Sequence, residues 1–298
     1  MVDTVLIAVD CADSICHRIA QYLSIPAMDV EIRHFPDGET YVRLGEELGG
    51  RNVVLLFGLH QPDSKLSGLL FLVDVLRDYG SQRIGLVVPY LPYMRQDKRF
   101  RSGEAVTSVT FAKLISASVD WLVTVDPHLH RYPNLGSIYS IPTQAVAAAA
   151  SLSEWLQTLD RALVLVGPDR ESGQWVGEVA GRSGMPYVIA EKRRHGDREV
   201  AIELPALTDY LDRTPVIIDD IISSGTTVLE AARQIRQFQQ FAEEPLLAAG
   251  IHGVFNATAY NQLRKSKIEV ATSNTIVHES NRFAVDQLLA EACANFVS

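Results

Sequence analysis

The stretch VIIDDIISSGTTVLEAARQI, residues 216–235, decides how the rest of the chain is read. A β-branched apolar run meets two adjacent carboxylates, Asp219 and Asp220. Ser223, Ser224, Gly225, Thr226 and Thr227 follow, and apolar periodicity then predicts a helix over 226–238. Strand, small-residue turn and helix make the start of a βα unit. Small residues let the turn curl so that successive N–H groups point inward, and a helix N-terminus adds positive potential. The hydroxyls of Ser223, Ser224, Thr226 and Thr227 add donors, which completes a phosphate cradle. The carboxylates repel phosphate but accept hydrogen bonds from neighbouring hydroxyls of a sugar. Together the pieces describe a ribose 5-phosphate, with its phosphate in the turn and its diol on the aspartates. The plainer alternative is an ordinary βα turn in which Asp and Ser serve as caps. The Walker pattern G-x-x-x-x-G-K-[ST] is missing.

Working outward, similar apolar runs recur: VLIAV (5–9), NVVLLFGL (52–59), RIGLVVPY (83–90), DWLVTVD (120–126), RALVLVG (161–167), PYVIA (186–190), PVIID (215–219) and LLAAGIHGVF (246–255). Helical patterns lie between several of them, at 66–80, 106–118, 172–184 and 226–238. Strands apolar on both faces that alternate with helices indicate parallel sheets, so the class is α/β. Two sheets suit the length better than one, with a boundary near IPTQAVAAAASLSEW (141–155). We expect domains at 1–143 and 144–298. Polar turns after strands echo between the halves, VVPYLPYMRQD and TVDPHLHR against VGPDRESG and VIIDDIISSG, which suggests a duplicated unit. Ligands of open α/β sheets bind beyond the carboxyl ends of the strands, where these turns lie.

The composition narrows the classes. With 47% hydrophobic and 21% charged residues, the 298-residue chain fits a globular protein with substantial cores. A net charge of −9 argues against broad nucleic-acid binding. Cys11, Cys16 and Cys293 are an odd, sparse set that suits a reducing compartment. No basic leader and no run long enough for a membrane span is evident. A cytoplasmic protein without nucleic-acid or membrane partners is expected.

VIIDDIISSGTT resembles the phosphoribosyl-pyrophosphate (PRPP) binding motif of type I phosphoribosyltransferases and of ribose-phosphate pyrophosphokinases, also called PRPP synthetases. Further segments favour the pyrophosphokinase family. HFPDGETYVRL (34–44) resembles a family segment that reaches into a neighbouring subunit's ATP site. The resemblance implies that Phe35 stacks on adenine, while Asp37 and Glu39 bond to the base or ribose. By itself, Pro-Asp-Gly reads as a plain turn. PYLPYMRQDKRF (89–100) resembles the Tyr-x-x-Arg-Gln-Asp segment, which implies that Arg95 and Gln96 contact the nucleotide and that Asp97 orders them. GEAVTS (103–108) also matches the family.

TVDPHLHRY (124–132) resembles the segment whose first histidine helps bind ATP-associated magnesium, which implies His128, with His130 and Asp126 as weaker candidates. The bare H-x-H spacing would equally suit zinc. LVGPDRESGQW (165–175) places Asp169 at the family's magnesium- and ribose-side aspartate, although Arg170–Gly173 departs from the commoner glycine-rich turn. AEKRRHGDREVAIEL (190–204) resembles the mobile catalytic loop, which implies Lys192 and Arg194 as the residues that close over the reacting phosphates.

The resemblance implies two tandem phosphoribosyltransferase-like, doubly wound domains. The active site lies between them, and a homo-oligomer completes the ATP site at a subunit interface. The implied reaction moves the β,γ-diphosphoryl group of ATP to the 1-hydroxyl of ribose 5-phosphate, with Mg2+ as cofactor. Two alternatives compete. A PRPP-consuming transferase shares the 216–227 motif but has no evident use for Phe35–Glu39 or Arg95–Asp97. A catalytically silent regulatory subunit would be favoured by loss of Lys192, Arg194 or Asp219, all of which are present.

Overall fold

Every apolar run singled out above forms a strand in the computed structural model, which describes residues 3–45, 47–170, 172–195 and 199–297. The side chains of 174, 191–203, 205 and 206 lie outside the described residues, as do Glu171 and residues 196–198.

The chain divides into two compact units, 1–147 with 285–298, and 148–284. The first contains β1 (Thr4–Val9), α1 (Asp13–Leu23), β2 (Ala27–Met28), β3 (Val30–His34), β4 (Thr40–Leu44), β5 (Asn52–Phe57), α2 (Leu66–Asp78), β6 (Ile84–Val88), α3 (Thr107–Ser118), β7 (Trp121–Val125) and β8 (Thr143–Val146). The second contains α4 (Ala149–Gln157), β9 (Leu163–Gly167), α5 (Gly173–Ser183), β10 (Tyr187–Ile189), β11 (Glu191–His195), β12 (Glu199–Glu203), β13 (Thr214–Ile222), α6 (Thr226–Ile235), β14 (Leu246–Gly253), α7 (Ala257–Lys265), β15 (Ile268–Ser273) and β16 (Asn281–Phe283). Then α8 (Asp286–Val297) returns to the first unit. The expected division at 143/144 lies near the observed one, but the expected 144–298 segment wrongly included this last helix. Among the described residues no helix is long and apolar enough to cross a membrane.

The sheet of the first unit runs β2-β1-β5-β6-β7-β8, and that of the second runs β10-β9-β13-β14-β15-β16. All pairings within both sheets are parallel. The two orders are the same pattern, so the echo in the sequence reflects one topology used twice. Each unit also carries an antiparallel hairpin directly after its edge strand, β3–β4 in the first and β11–β12 in the second. The turn after β1 is therefore the counterpart of the turn after β9, and the turn after β5 that of the turn after β13.

The central strands are buried on both faces, as their unbroken β-branched runs require. Val53, Leu55 and Leu86 pack with Leu69, Leu72 and Leu76 of α2 in the first core. Val164, Val166 and Ile217 pack with Val228, Ala231 and Ile235 of α6 in the second. Helix α8 buries Leu289, Ala290, Ala292 and Cys293 and packs on α1. Phe296 stacks on Trp121 at 4.7 Å. Gly85 permits this stack, because a Cβ there would lie 1.8 Å from the Trp121 ring.

Candidate active site

The second unit assembles the acidic half of the site. β13 does not stop at the aspartates, as expected from sequence, but continues through Ile222. The reason is its partner: β14 runs on to Gly253 and pairs with Ile221 and Ile222. The turn is accordingly short, Ser223–Gly225, and Thr226 and Thr227 already belong to α6. Gly225 caps α6 at φ +76, a conformation that suits glycine, and a Cβ there would press on Leu263 at 3.1 Å. The Ser224 and Thr226 hydroxyls are 3.0 Å apart at the mouth of the turn.

Asp169 sits in the turn between β9 and α5. Its Oδ1 accepts from the Ser172 backbone N–H at 3.0 Å, and its carbonyl accepts from the Ser172 hydroxyl at 2.6 Å. Ser172 thus fixes the conformation of the turn at Asp169. The Asp220 N–H donates to Asp219 Oδ1 at 3.0 Å. Burial, then the charges of Asp220 and Asp169, push the Asp219 carboxyl up to about 8. The Asp219 carboxyl thus lies beside that of Asp220 and within reach of the charge on Asp169, and carboxylate oxygens suit a hard divalent cation or sugar hydroxyls.

The first unit treats the equivalent place differently. Asp10, after β1, is the counterpart of Asp169. Here Lys65 Nζ lies 3.2 Å from Asp10 Oδ2 and donates to the Gly58 carbonyl at 3.0 Å, with His60 Nδ1 3.2 Å away. Burial first and the nearby ammonium second lower the His60 pKa. A side-chain cation stands at the strand ends of the first unit, whereas in the second unit Asp219 feels the charges of Asp220 and Asp169.

The nucleotide candidates lie in the first unit. Phe35, Asp37 and Glu39 form the tip of the β3–β4 hairpin. The Phe35 N–H donates to the Glu39 carbonyl at 2.8 Å, and Asp37 Oδ1 accepts from the Glu39 N–H at 3.2 Å. The Phe35 ring is 42% exposed. Arg95, Gln96 and Asp97 lie between β6 and α3. The Asp97 carboxylate is turned inward, with its side chain only 6% exposed, and pairs with Arg131 at 3.4 Å. Tyr132 donates to the Asp97 carbonyl at 3.1 Å, and Ser108 holds the Gln96 carbonyl at 3.2 Å. The 127–132 turn therefore braces the Arg95–Asp97 turn. On it, the His128 and His130 rings stack at 3.7 Å. Glu104, within GEAVTS, accepts from the N–H groups of Phe100 and Arg101 and shapes the basic loop.

Lys192 and Arg194 stand two apart on β11, in register with Ile202 and Val200 of β12. Their side chains lie outside the described residues. The segment expected as a loop has regular hairpin pairing in its backbone. Sequence reasoning missed Arg131, Tyr132, Ser172 and Lys65. The first three stood inside quoted motifs, but only the fold reveals what they hold.

Comparison with known proteins agrees with the two-unit fold. Residues 4–118 match the N-terminal domain of ribose phosphate pyrophosphokinase, and residues 135–240 match the phosphoribosyl transferase domain. The ribose-phosphate pyrophosphokinase of Methanopyrus kandleri is 34% identical over 282 residues, 93% of this chain and 94% of that protein. This chain belongs to the ribose-phosphate pyrophosphokinase family. A second member, from Pyrococcus abyssi, is 32% identical over 87% of this chain and 88% of its own length. The crystal structure of phosphoribosylpyrophosphate synthetase from Mycobacterium smegmatis superposes with a TM-score of 0.82 over 99% of this chain and 98% of that one, at 24% identity. That likeness establishes the fold: two phosphoribosyltransferase-like, doubly wound α/β units. Within the ribose-phosphate pyrophosphokinase family, the duplicated topology explains the pair of domain matches.

Proposed function

We propose that this chain is a ribose-phosphate diphosphokinase, which transfers the β,γ-diphosphoryl group of ATP to the 1-hydroxyl of ribose 5-phosphate to give PRPP and AMP. The observation that carries the reading is the turn after β13. Adjacent Asp219 and Asp220, with Asp169 nearby, stand at the mouth of a hydroxyl-lined helix start. In this reading Asp219 and Asp220 accept hydrogen bonds from the ribose diol. Ser223, Ser224, Gly225, Thr226 and Thr227 hold the 5-phosphate through N–H and hydroxyl donors. Phe35, Asp37 and Glu39 engage adenosine, while Arg95 and Gln96 contact the nucleotide and its phosphates. Lys192 and Arg194 neutralise charge that develops on the transferring group.

Asp97 orders Arg95 and Gln96 from behind, consistent with its inward turn and its pairing with Arg131. Magnesium is the cofactor that the oxygen-rich donor set suits, with Asp169 as the ribose-side ligand and His128 as the nucleotide-side ligand. When bound, the ion polarises phosphoryl oxygens and screens their charge. The protein aligns the sugar hydroxyl with the β-phosphorus and leaves the departing AMP in line. We further propose a homo-oligomer in which the exposed β3–β4 tip completes a neighbour's ATP site.

The test is phosphorus NMR on the purified chain with ATP, Mg2+ and ribose 5-phosphate, against sugar-free and metal-free controls. AMP and a new sugar pyrophosphate should appear together, only in the complete mixture. Intact ATP alongside ribose 5-phosphate or PRPP binding would instead indicate a silent subunit or a transferase.

A further inference from the structure

The β3–β4 hairpin has two unlike faces. Val30, Ile32 and Val42 pack into the core of the first unit, and Thr40 bonds to Ser67 of α2 at 2.9 Å. This anchors the strands but leaves the Phe35 ring outside the core. The other face carries Glu31, Arg33 and Phe35, with Arg43 and Tyr41 across from Glu31 and Arg33. The Arg33 guanidinium carbon lies 4.0 Å from the Tyr41 ring centroid and 5.0 Å from that of Phe35. Phe35 and Tyr41 meet edge to face at 6.1 Å and 87°. Glu31 accepts from Arg33 Nε at 3.3 Å, and its other oxygen lies 3.9 Å from Arg43. A carboxylate thus tethers the guanidinium, and the guanidinium bridges two aromatic rings.

We infer that Arg33, seated on Tyr41 and tethered by Glu31, is a positioning residue that sets the orientation of the Phe35 ring and so tunes affinity for the nucleotide base. The inference rests on the proposed role of Phe35 and extends it to residues outside the Phe-x-Asp-Gly-Glu segment. A half-exposed phenylalanine at a hairpin tip turns freely about χ1 unless a neighbour restricts it, and a rotating ring makes a poor stacking platform. A guanidinium over one face of the ring holds it in place and adds cation–π attraction. The effect belongs to ground-state binding of the nucleotide, because neither Arg33 nor Tyr41 is asked to act on the reacting phosphates.

The experiment uses the full chain as wild type, F35A, R33A, R33K and the double variant F35A/R33A. The Michaelis constants for ATP and ribose 5-phosphate, kcat and the melting temperature are measured for each. R33A should raise the KM for ATP about two- to fivefold, the span expected for an exposed cation–π contact. kcat and the KM for ribose 5-phosphate should stay within error of wild type. R33K, which keeps a cation over the ring, should recover part of the loss. In the F35A background, removing Arg33 should add nothing, because its effect acts through the ring.

If F35A weakens ATP and R33A does not, the inference is overturned while the role of Phe35 stands. Additive losses would make Arg33 a direct nucleotide contact and overturn the positioning role. An unchanged KM for ATP in F35A would remove the adenine role itself and the inference with it. Equal melting temperatures across the set exclude simple unfolding as the cause of a loss.

Discussion

Replacing Asp219 with Asn should make the protein more stable at neutral and alkaline pH while impairing its chemistry. The Asp219 carboxyl is pushed up to about 8, from an ordinary value of 3.8, by burial and by the charges of Asp220 and Asp169. A carboxyl that holds its proton more tightly in the folded state favours folding most at low pH. That contribution declines as pH rises through the folded-state value. The slope is about 1.4 kcal/mol per pH unit well below 8, and about 2 kcal/mol is lost between about pH 6 and pH 8. Asparagine keeps the shape but has no proton to lose, so its stability carries no such slope. His60 and His278, both lowered chiefly by burial, contribute with the opposite sign: their share is present above 6.5 and is lost as pH falls. Both proteins contain these histidines, so the difference between variants reports the coupled Asp219–Asp220 carboxyls.

The assay is urea unfolding of wild type and D219N at several pH values between about 6 and 9, in chelator and without substrates. The stability gap should widen in favour of D219N by about 2 kcal/mol from pH 6 to pH 8. Parallel pH profiles would refute the burial and like-charge repulsion assigned to the Asp219 carboxyl. Saturating magnesium and ribose 5-phosphate should stabilise wild type more than D219N, because in wild type they relieve the repulsion and engage the carboxylate.

Three further variants probe the supports. Arg131→Ala leaves the inward-turned Asp97 carboxylate without its ion pair; it should cost about 1–3 kcal/mol of stability and raise the KM for ATP, read by thermal melts and steady-state kinetics. Unchanged values in both would remove Arg131 as a brace. Lys65→Met strips the ammonium from Asp10 and the Gly58 carbonyl; a loss of about 1–3 kcal/mol in urea melts is expected, with the KM for ribose 5-phosphate unaltered, and an altered KM would contradict the contrast drawn between the two units. Gly85→Ala drives a methyl into Trp121; it should destabilise by about 3 kcal/mol and change the near-ultraviolet dichroism as Trp121 leaves Phe296, whereas a wild-type spectrum and melt would refute the close approach.

The parallel strands were legible because burial on both faces writes itself as continuous β-branched runs, as in NVVLLF and VLVG. The turn after β13 was legible only in part: Ser223–Gly225 and the start of α6 were evident, but the strand runs on through both aspartates because β14 pairs with Ile221 and Ile222. The hairpins were harder. β3 alternates Val30, Glu31, Ile32 and Arg33, a weaker signal than an unbroken run, and its exposed side does not announce that Arg33 meets Tyr41. Arg131 stood in plain view beside His130, but its partner Asp97 is 34 residues earlier in the chain, and pairing across turns leaves no periodic trace. The destination of α8 was illegible for the same reason. An amphipathic helix near the end of the sequence says that it packs somewhere, and only the tertiary contacts with α1 and Trp121 say where.

The return of α8 separates the order in which the chain is synthesised from the order in which its parts are finished. The first unit is translated first, yet its outer layer beside α1 lacks a helix until the whole second unit has emerged. The second unit is continuous from 148 to 284 and has all of its own elements by then. Domains generally fold as units, the N-terminal one first; here the later-made unit is complete while the earlier one still waits with Trp121 unstacked. A lesion near residue 290 is thus an injury to the first unit, although its nearest neighbours in sequence belong to the second.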